Sequence, residues 1–258
     1  MGQITQPPVV LIIAGNDPSG GAGLAADIQA ITAAGAHPAP VVAALTVQDS
    51  GDVHRVHAVD AELVVAQARA VLADMPVAVV KLGLLADAAV GHAVAALLAE
   101  HRTLPLVVDP VLAASGGGSL AADALLEVYR QELFPLAALV TPNANESRRF
   151  APAALDPAGR AAALLALGAR HVLVKGADED TPEVRNHLFG PDGFHRESLW
   201  PRLPHAYHGS GCTLASAIAA RLALGQSMPD AVQEAQRYTY DALRRGWRPG
   251  RHQHLPRR

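Results

Sequence analysis

The feature that most constrains this chain is a series of short apolar segments, each followed by a longer helical pattern. Val9 to Ala14, Val41 to Val47, Val77 to Leu82, Leu106 to Asp109, Ala138 to Thr141 and His171 to Lys175 are strand-length and mostly rich in valine and leucine. Between them run amphipathic stretches, as where Leu24, Ile28 and Ile31 share one helical face. Strand and helix in alternation is the order of a parallel sheet, because parallel neighbours need a crossover, and the crossover helices cover both faces. A three-layer α/β/α sandwich with six or more parallel strands is therefore predicted, as one domain over residues 1–258. With 50% of its residues hydrophobic and 17% charged, a chain of 258 residues can bury a core of that size.

Several function classes fall away on composition. Aromatic residues make up only 4% of the chain and the formal net charge is -3. Base-stacking surfaces and a basic field are both missing, which argues against nucleic acid and anionic lipid as partners. No apolar run reaches the roughly 18 to 20 residues of a membrane span, and Met1 to Gln6 has no basic region leading into an apolar core. A cytoplasmic location is expected. Cys212 is the single cysteine, so no intramolecular disulfide can form.

From Val184 to Leu199 the pattern changes to two short alternating segments around Pro191-Asp192-Gly193. This reads as an antiparallel hairpin at the sheet edge. Ser227-Met228-Pro229-Asp230 reads as a helix N-terminus ahead of Val232, Ala235 and Tyr238. The arginine-rich segment from Arg244 to Arg258 is expected to be a solvated tail, and His252 and His254 within it have no companions at metal-ligand spacing.

Two glycine-rich turns carry the chemistry. The first, Gly15-Asn16-Asp17-Pro18-Ser19-Gly20-Gly21-Ala22-Gly23, follows a strand and opens a helix bearing Asp27. Its glycines let backbone approach a ligand, but it has neither the Lys and Ser/Thr of a Walker A loop nor dinucleotide-binding spacing. Asp27 has two open readings, a ligand contact or a carboxylate set against the helix dipole. The second, Gly209-Ser210-Gly211-Cys212-Thr213, opens a helical stretch that runs to Leu224 and ends at Gly225. Successive small residues before a helix make a nest of N–H groups suited to a phosphoryl group. Cys212 in that first turn either serves as a proton acceptor, the helix field favouring its thiolate, or is a small buried cysteine.

Taken with Ala44-Leu45-Thr46-Val47-Gln48-Asp49-Ser50, Lys81-Leu82-Gly83-Leu84, Val108-Asp109-Pro110-Val111, Thr141-Pro142-Asn143-Ala144-Asn145-Glu146 and Val174-Lys175-Gly176, these turns resemble the hydroxymethylpyrimidine/phosphomethylpyrimidine kinases over nearly the full length. That family has the ribokinase-like fold. Sugar and adenosine kinases of the fold, and the classical pyridoxal kinases, carry Asp where Cys212 stands, so the cysteine points to the pyrimidine branch. Three departures stand out. Asn16 replaces the usual Thr or Ser, Leu84 stands where Met is frequent, and Ala113 to Gly118 lacks the Lys or Thr that many members place before Ser-Gly.

The resemblance implies ATP and Mg²⁺ as cofactors, and phosphorylation of hydroxymethylpyrimidine and then of its monophosphate in thiamine biosynthesis. It implies that Gly15, Asp27, Gln48, Leu84 and Val111 bind the pyrimidine, with Gln48 hydrogen-bonding the aminopyrimidine edge. Asn143, Lys175, Gly209 and Gly211 would hold the nucleotide, and Asp109, Asn143 and Glu146 the metal. Lys175 and the Gly209, Ser210 and Gly211 amides would stabilise the transferred group, with Cys212 as base. A homodimer is the assembly typical of the family, and no fused synthase or DNA-binding domain is expected. The alternatives are a pyridoxal kinase on the same scaffold and a non-catalytic pyrimidine-binding regulator. The latter would be expected to have lost Lys175 or the second glycine turn.

Overall fold

Strand β1 (Val9–Asn16) shows how the sequence pattern becomes layers. Leu11 and Ile13 point into one buried apolar cluster, Val10, Ile12 and Ala14 into a second on the opposite face. Side chains alternate across a strand, so an unbroken apolar run implies a sheet covered on both sides. The computed structural model describes residues 6–112 and 119–258. The expectation for Ala113 to Gly118 lies outside the described residues.

Among the described residues the central sheet has nine strands. With β1 they are β2 (His37–Gln48), β3 (Val53–Ala58), β4 (Val77–Leu82), β5 (Leu106–Val108), β6 (Leu139–Val140), β7 (Val172–Val174), β8 (Glu183–Phe189) and β9 (His195–Pro201), in the order β3-β2-β1-β4-β5-β6-β7-β8-β9. All pairings from β2 through β7 are parallel, and those of β3, β8 and β9 are antiparallel. The predicted hairpin is β8 and β9, and its turn places Asp192 at φ 56° and Gly193 at φ 74°. Asp and Gly are among the residues that enter this left-handed region at least cost.

Helices α1 (Gly23–Ala33), α7 (Ser210–Ala223) and α8 (Met228–Arg244) cover one face. The other is packed by α2 (Ala61–Asp74), α3 (Ala88–Ala99), α4 (Ser119–Val128), α5 (Ala144–Phe150) and α6 (Pro157–Ala166). Buried Ala215, Ala217, Ala219 and Ala220 let α7 lie close against the sheet and its neighbours. Among the described residues, no helix is long and apolar enough to cross a membrane.

Three expectations change. Strand β3 was not foreseen, because Val-His-Arg-Val-His-Ala has too little apolar character to read as a strand. On α1 the buried face includes Leu24, Asp27 and Ile31 but leaves Ile28 exposed, since the helix is rotated to bury a carboxylate. The segment after Arg244 is not a solvated tail. Trp247 and Leu255 exchange backbone hydrogen bonds, His208 N donates to His254 O, and Leu255 and Pro256 are buried.

Candidate active site

The ends of β1, β2, β4, β5, β6 and β7 place Gly15, Gln48, Leu84, Asp109, Asn143 and Lys175 along one rim of the sheet, with the start of α7 among them. This carboxyl rim is where open parallel sheets form their binding crevice.

Two chambers open there. The smaller, of about 250 Å³, is lined by Gly15, Gln48, Leu84, Val111, Lys81 and Cys212 among others. The larger, of about 620 Å³, is lined by Asn143, Lys175, Ser210, Gly211, Trp200 and Tyr240 among others. They meet at the start of α7, where Gly211 faces one chamber and the next residue, Cys212, faces the other. Gln48 and Cys212 therefore share a cavity although 164 positions separate them in the chain (212 − 48).

The two glycine turns touch. Gly209 has φ +80°, and a Cβ there would lie 1.8 Å from the carbonyl oxygen of Gly21. Only glycine permits both the conformation and the approach. Beside this contact, Asp17 organises the first turn: its carboxylate accepts hydrogen bonds from Ser19 N, Ser19 Oγ and Ala22 N, and lies 2.9 Å from His208 Nε2. Burial would raise its pKa, but the hydrogen bonds from His208, Ser19 and Ala22 bring it down to about 2. Helix α7 begins without a side-chain cap, which leaves its first amides for a ligand.

Below the smaller chamber lies a buried ion pair. Lys81 Nζ donates to both oxygens of Asp27, at 2.9 and 2.8 Å, and Ser216 Oγ donates to Asp27 Oδ1 at 2.7 Å. Both charged side chains are fully buried. Burial opposes the charge on Lys81, but Asp27 foremost, with Cys212 and Asp109, keeps the ammonium protonated. Asp27 is thus the partner of Lys81, and it is Lys81 that reaches the chamber. Asp27 is not among the residues that line either chamber. It is a buried counter-ion.

Lys175 Nζ donates to Asp109 Oδ1 at 2.8 Å, and the same oxygen accepts from Thr141 Oγ1. The ammonium lies 3.1 Å from where a Cβ on Gly211 would stand, and Asp109 Oδ2 lies 3.7 Å from it. Lysine, carboxylate and helix start are therefore in register. Asn143 caps α5, with Glu146 N donating to Asn143 Oδ1 and Asn143 N to Glu146 Oε2. Burial, with Asp109 nearby, pushes Glu146 up to about 7 against the pull of Lys175.

Cys212 lines the smaller chamber. Burial pushes its thiol up to about 11, with Asp27 and Asp109 adding to the shift, and Lys81 and the Gly23 amide only partly offset this. The helix start does not make a resident thiolate, because desolvation outweighs the field.

These positions can be set against known proteins. Residues 17–257 match the family described as phosphomethylpyrimidine kinase. The chain belongs to this family. A kinase of that family, hydroxymethylpyrimidine/phosphomethylpyrimidine kinase of Streptomyces coelicolor, is 40% identical over 255 residues, covering 93% of this chain and 90% of the relative. A thiamine biosynthesis bifunctional protein of Geobacter sulfurreducens is 42% identical over 240 residues, which are 91% of this chain and 49% of that protein. The chain thus spans about half the length of such bifunctional relatives. In three dimensions it is similar to an ADP complex of Bacillus subtilis pyridoxal kinase, with a TM-score of 0.88 at 24% identity and 97% of each chain covered. That likeness shows the ribokinase-like fold. In this member of the phosphomethylpyrimidine kinases, His208, Asp17 and Lys81 are site-building residues that sequence reasoning did not assign.

Proposed function

We propose that this chain transfers the γ-phosphoryl group of ATP to hydroxymethylpyrimidine, and then to the resulting monophosphate, as a step of thiamine biosynthesis. The observation that carries the reading is the meeting of the two chambers at Gly211 and Cys212. A triphosphate in the larger chamber and a heterocycle in the smaller would face each other across the start of α7.

Each residue then has a physical role. Gln48 offers a donor and an acceptor to the amino-pyrimidine edge, while Gly15, Leu84 and Val111 shape the apolar walls. The Gly209, Ser210 and Gly211 amides receive the transferred group, and Lys175, held by Asp109, neutralises its charge. Cys212 accepts the hydroxymethyl proton. Its high pKa makes the thiolate rare but strongly basic. The monophosphate is already ionised and needs no base.

The donor set fits Mg²⁺. Asp109 and Glu146 are buried carboxylates, and Glu146 is raised to about 7 first by burial and then by Asp109, a cost to its charged form that a cation would offset. Magnesium is commonly held by one or two carboxylates together with substrate phosphates and water. Bound there, it would offset phosphate charge, with Asp109 and Glu146 as its carboxylates and Asn143 holding Glu146 in place. A cytoplasmic homodimer completes the reading.

The test is a panel of hydroxymethylpyrimidine, its monophosphate, pyridoxal and ribose with Mg-ATP, scored by ADP release. Turnover of the monophosphate is the expected result. Activity on ribose or pyridoxal alone would overturn the assignment.

A further inference from the structure

The segment from Gln253 to Arg258 runs beside both chambers. Gln253 N donates to Ser50 O and its side chain to Gly51 O, beside the Asp52 and Val53 wall of the smaller chamber, while Gln253 itself lines the larger. His254 exchanges backbone hydrogen bonds with the strand-like segment that leads into Gly209, through Ala206 O and His208 N. Leu255 Cδ2 lies 2.6 Å from where a Cβ on Gly21 would stand.

Arg258 ends this path at the contact between the two glycine turns. Its Nη2 donates to Gly21 O and, at 3.5 Å, to Gly209 O. Nε donates to Thr213 Oγ1 at 2.8 Å, and that hydroxyl donates in turn to Gly209 O at 2.7 Å. Nη1 reaches Gln29 Oε1 on α1. One planar guanidinium therefore ties the first turn, the second turn and the helices that follow each. The two carbonyls of Gly21 and Gly209 face the same small space, where their dipoles repel unless a donor lies between them. Besides the Asp17 and His208 contact at 2.9 Å, which joins the first turn to the residue before Gly209, Arg258 is the side chain that meets both carbonyls.

We propose that Arg258 is a positioning residue for phosphoryl transfer, fixing the distance between the turn that borders the acceptor chamber and the turn that cradles the phosphoryl group. The proposal rests on the kinase reading given above. A fixed fork suits the task better than a flexible ammonium, since one side chain must meet four acceptors.

The test compares wild type with Arg258→Ala and Arg258→Lys by steady-state kinetics and by amide hydrogen exchange. Arg258→Ala is expected to lower kcat by about tenfold to a hundredfold, as small misalignments of reacting groups do, with KM for ATP and for the pyrimidine little changed. Added guanidinium at a non-denaturing concentration should restore part of kcat, and Arg258→Lys should fall between. Exchange should quicken in both glycine turns and not in the central strands. Unchanged exchange in the turns overturns the proposal whatever the activity. So does a loss of kcat that guanidinium does not rescue and that tracks a general loss of stability. A wild type inactive on the whole panel would refute the kinase reading, while exchange would still report on the tie between the turns.

Discussion

Cys212 and Lys81 show how far a residue's neighbours decide its chemistry. If Cys212 is the proton acceptor, a pKa near 11 makes its active form scarcer by tenfold for each pH unit below that value. Phosphorylation of the alcohol should therefore rise about tenfold per unit between pH 7 and 9, and phosphorylation of the monophosphate should not. Cys212→Ala should cost the alcohol reaction about a hundredfold or more and the phosphate reaction less than tenfold. Parallel pH profiles for the two acceptors would remove the base assignment. For Lys81 the expected effect is on stability. Lys81→Met strips Asp27, whose pKa burial already raises, of its counter-ion in the core and should cost about 3–5 kcal/mol, whereas Lys81→Met with Asp27→Leu should recover most of the loss in urea denaturation. The lysine was readable as unusual, lying inside the apolar run Val77 to Leu82. Its partner on α1 was not, because nothing local links positions 27 and 81. The Asp17 and His208 pair, 191 positions apart, was hidden for the same reason.

At the level of elements, the two glycine turns were legible because so many glycines after a strand or before a helix weaken the chain unless backbone must come close to something there. Their mutual contact was not. It makes glycines of the same backbone class unequal: Gly209 at φ +80° meets Gly21 O, while Gly20 at φ +75° has nothing within 4 Å of where a Cβ would stand. Gly20→Ala should cost about 1 kcal/mol of stability and keep activity. Gly209→Ala must separate the turns, so kcat should fall about a hundredfold or more, measured beside Gly20→Ala as control. A Gly209→Ala enzyme of near-normal kcat would show that the spacing of the turns does not matter. The segment after Arg244 was misread because its composition is that of a solvated terminus. Its order comes from backbone pairing with residues near Ala206 and Ser50, and from acceptors supplied by two distant turns. Strand β3 escaped notice for a related reason, since its polar residues sit on an edge strand where one side needs no apolar cover.

Across the whole molecule, the alternation of strands and helices was enough to give the sandwich, because a parallel sheet covered on both faces leaves little freedom once its strands are found. A single sheet that takes in strands from Val9 to Pro201 should unfold as one unit, with fluorescence and circular dichroism giving coincident urea transitions. Separate transitions would point to two units within it. The chambers, in turn, draw on different parts of the polypeptide. Apart from His208 and Cys212, the walls of the smaller come from residues 14–111, and those of the larger from residues 143–253. On the proposed reading, recognition of the alcohol and recognition of the nucleotide are written in successive stretches of sequence and read together at the start of α7. A recombinant joined beyond Val111 could inherit its choice of alcohol from one parent and its choice of nucleotide from the other.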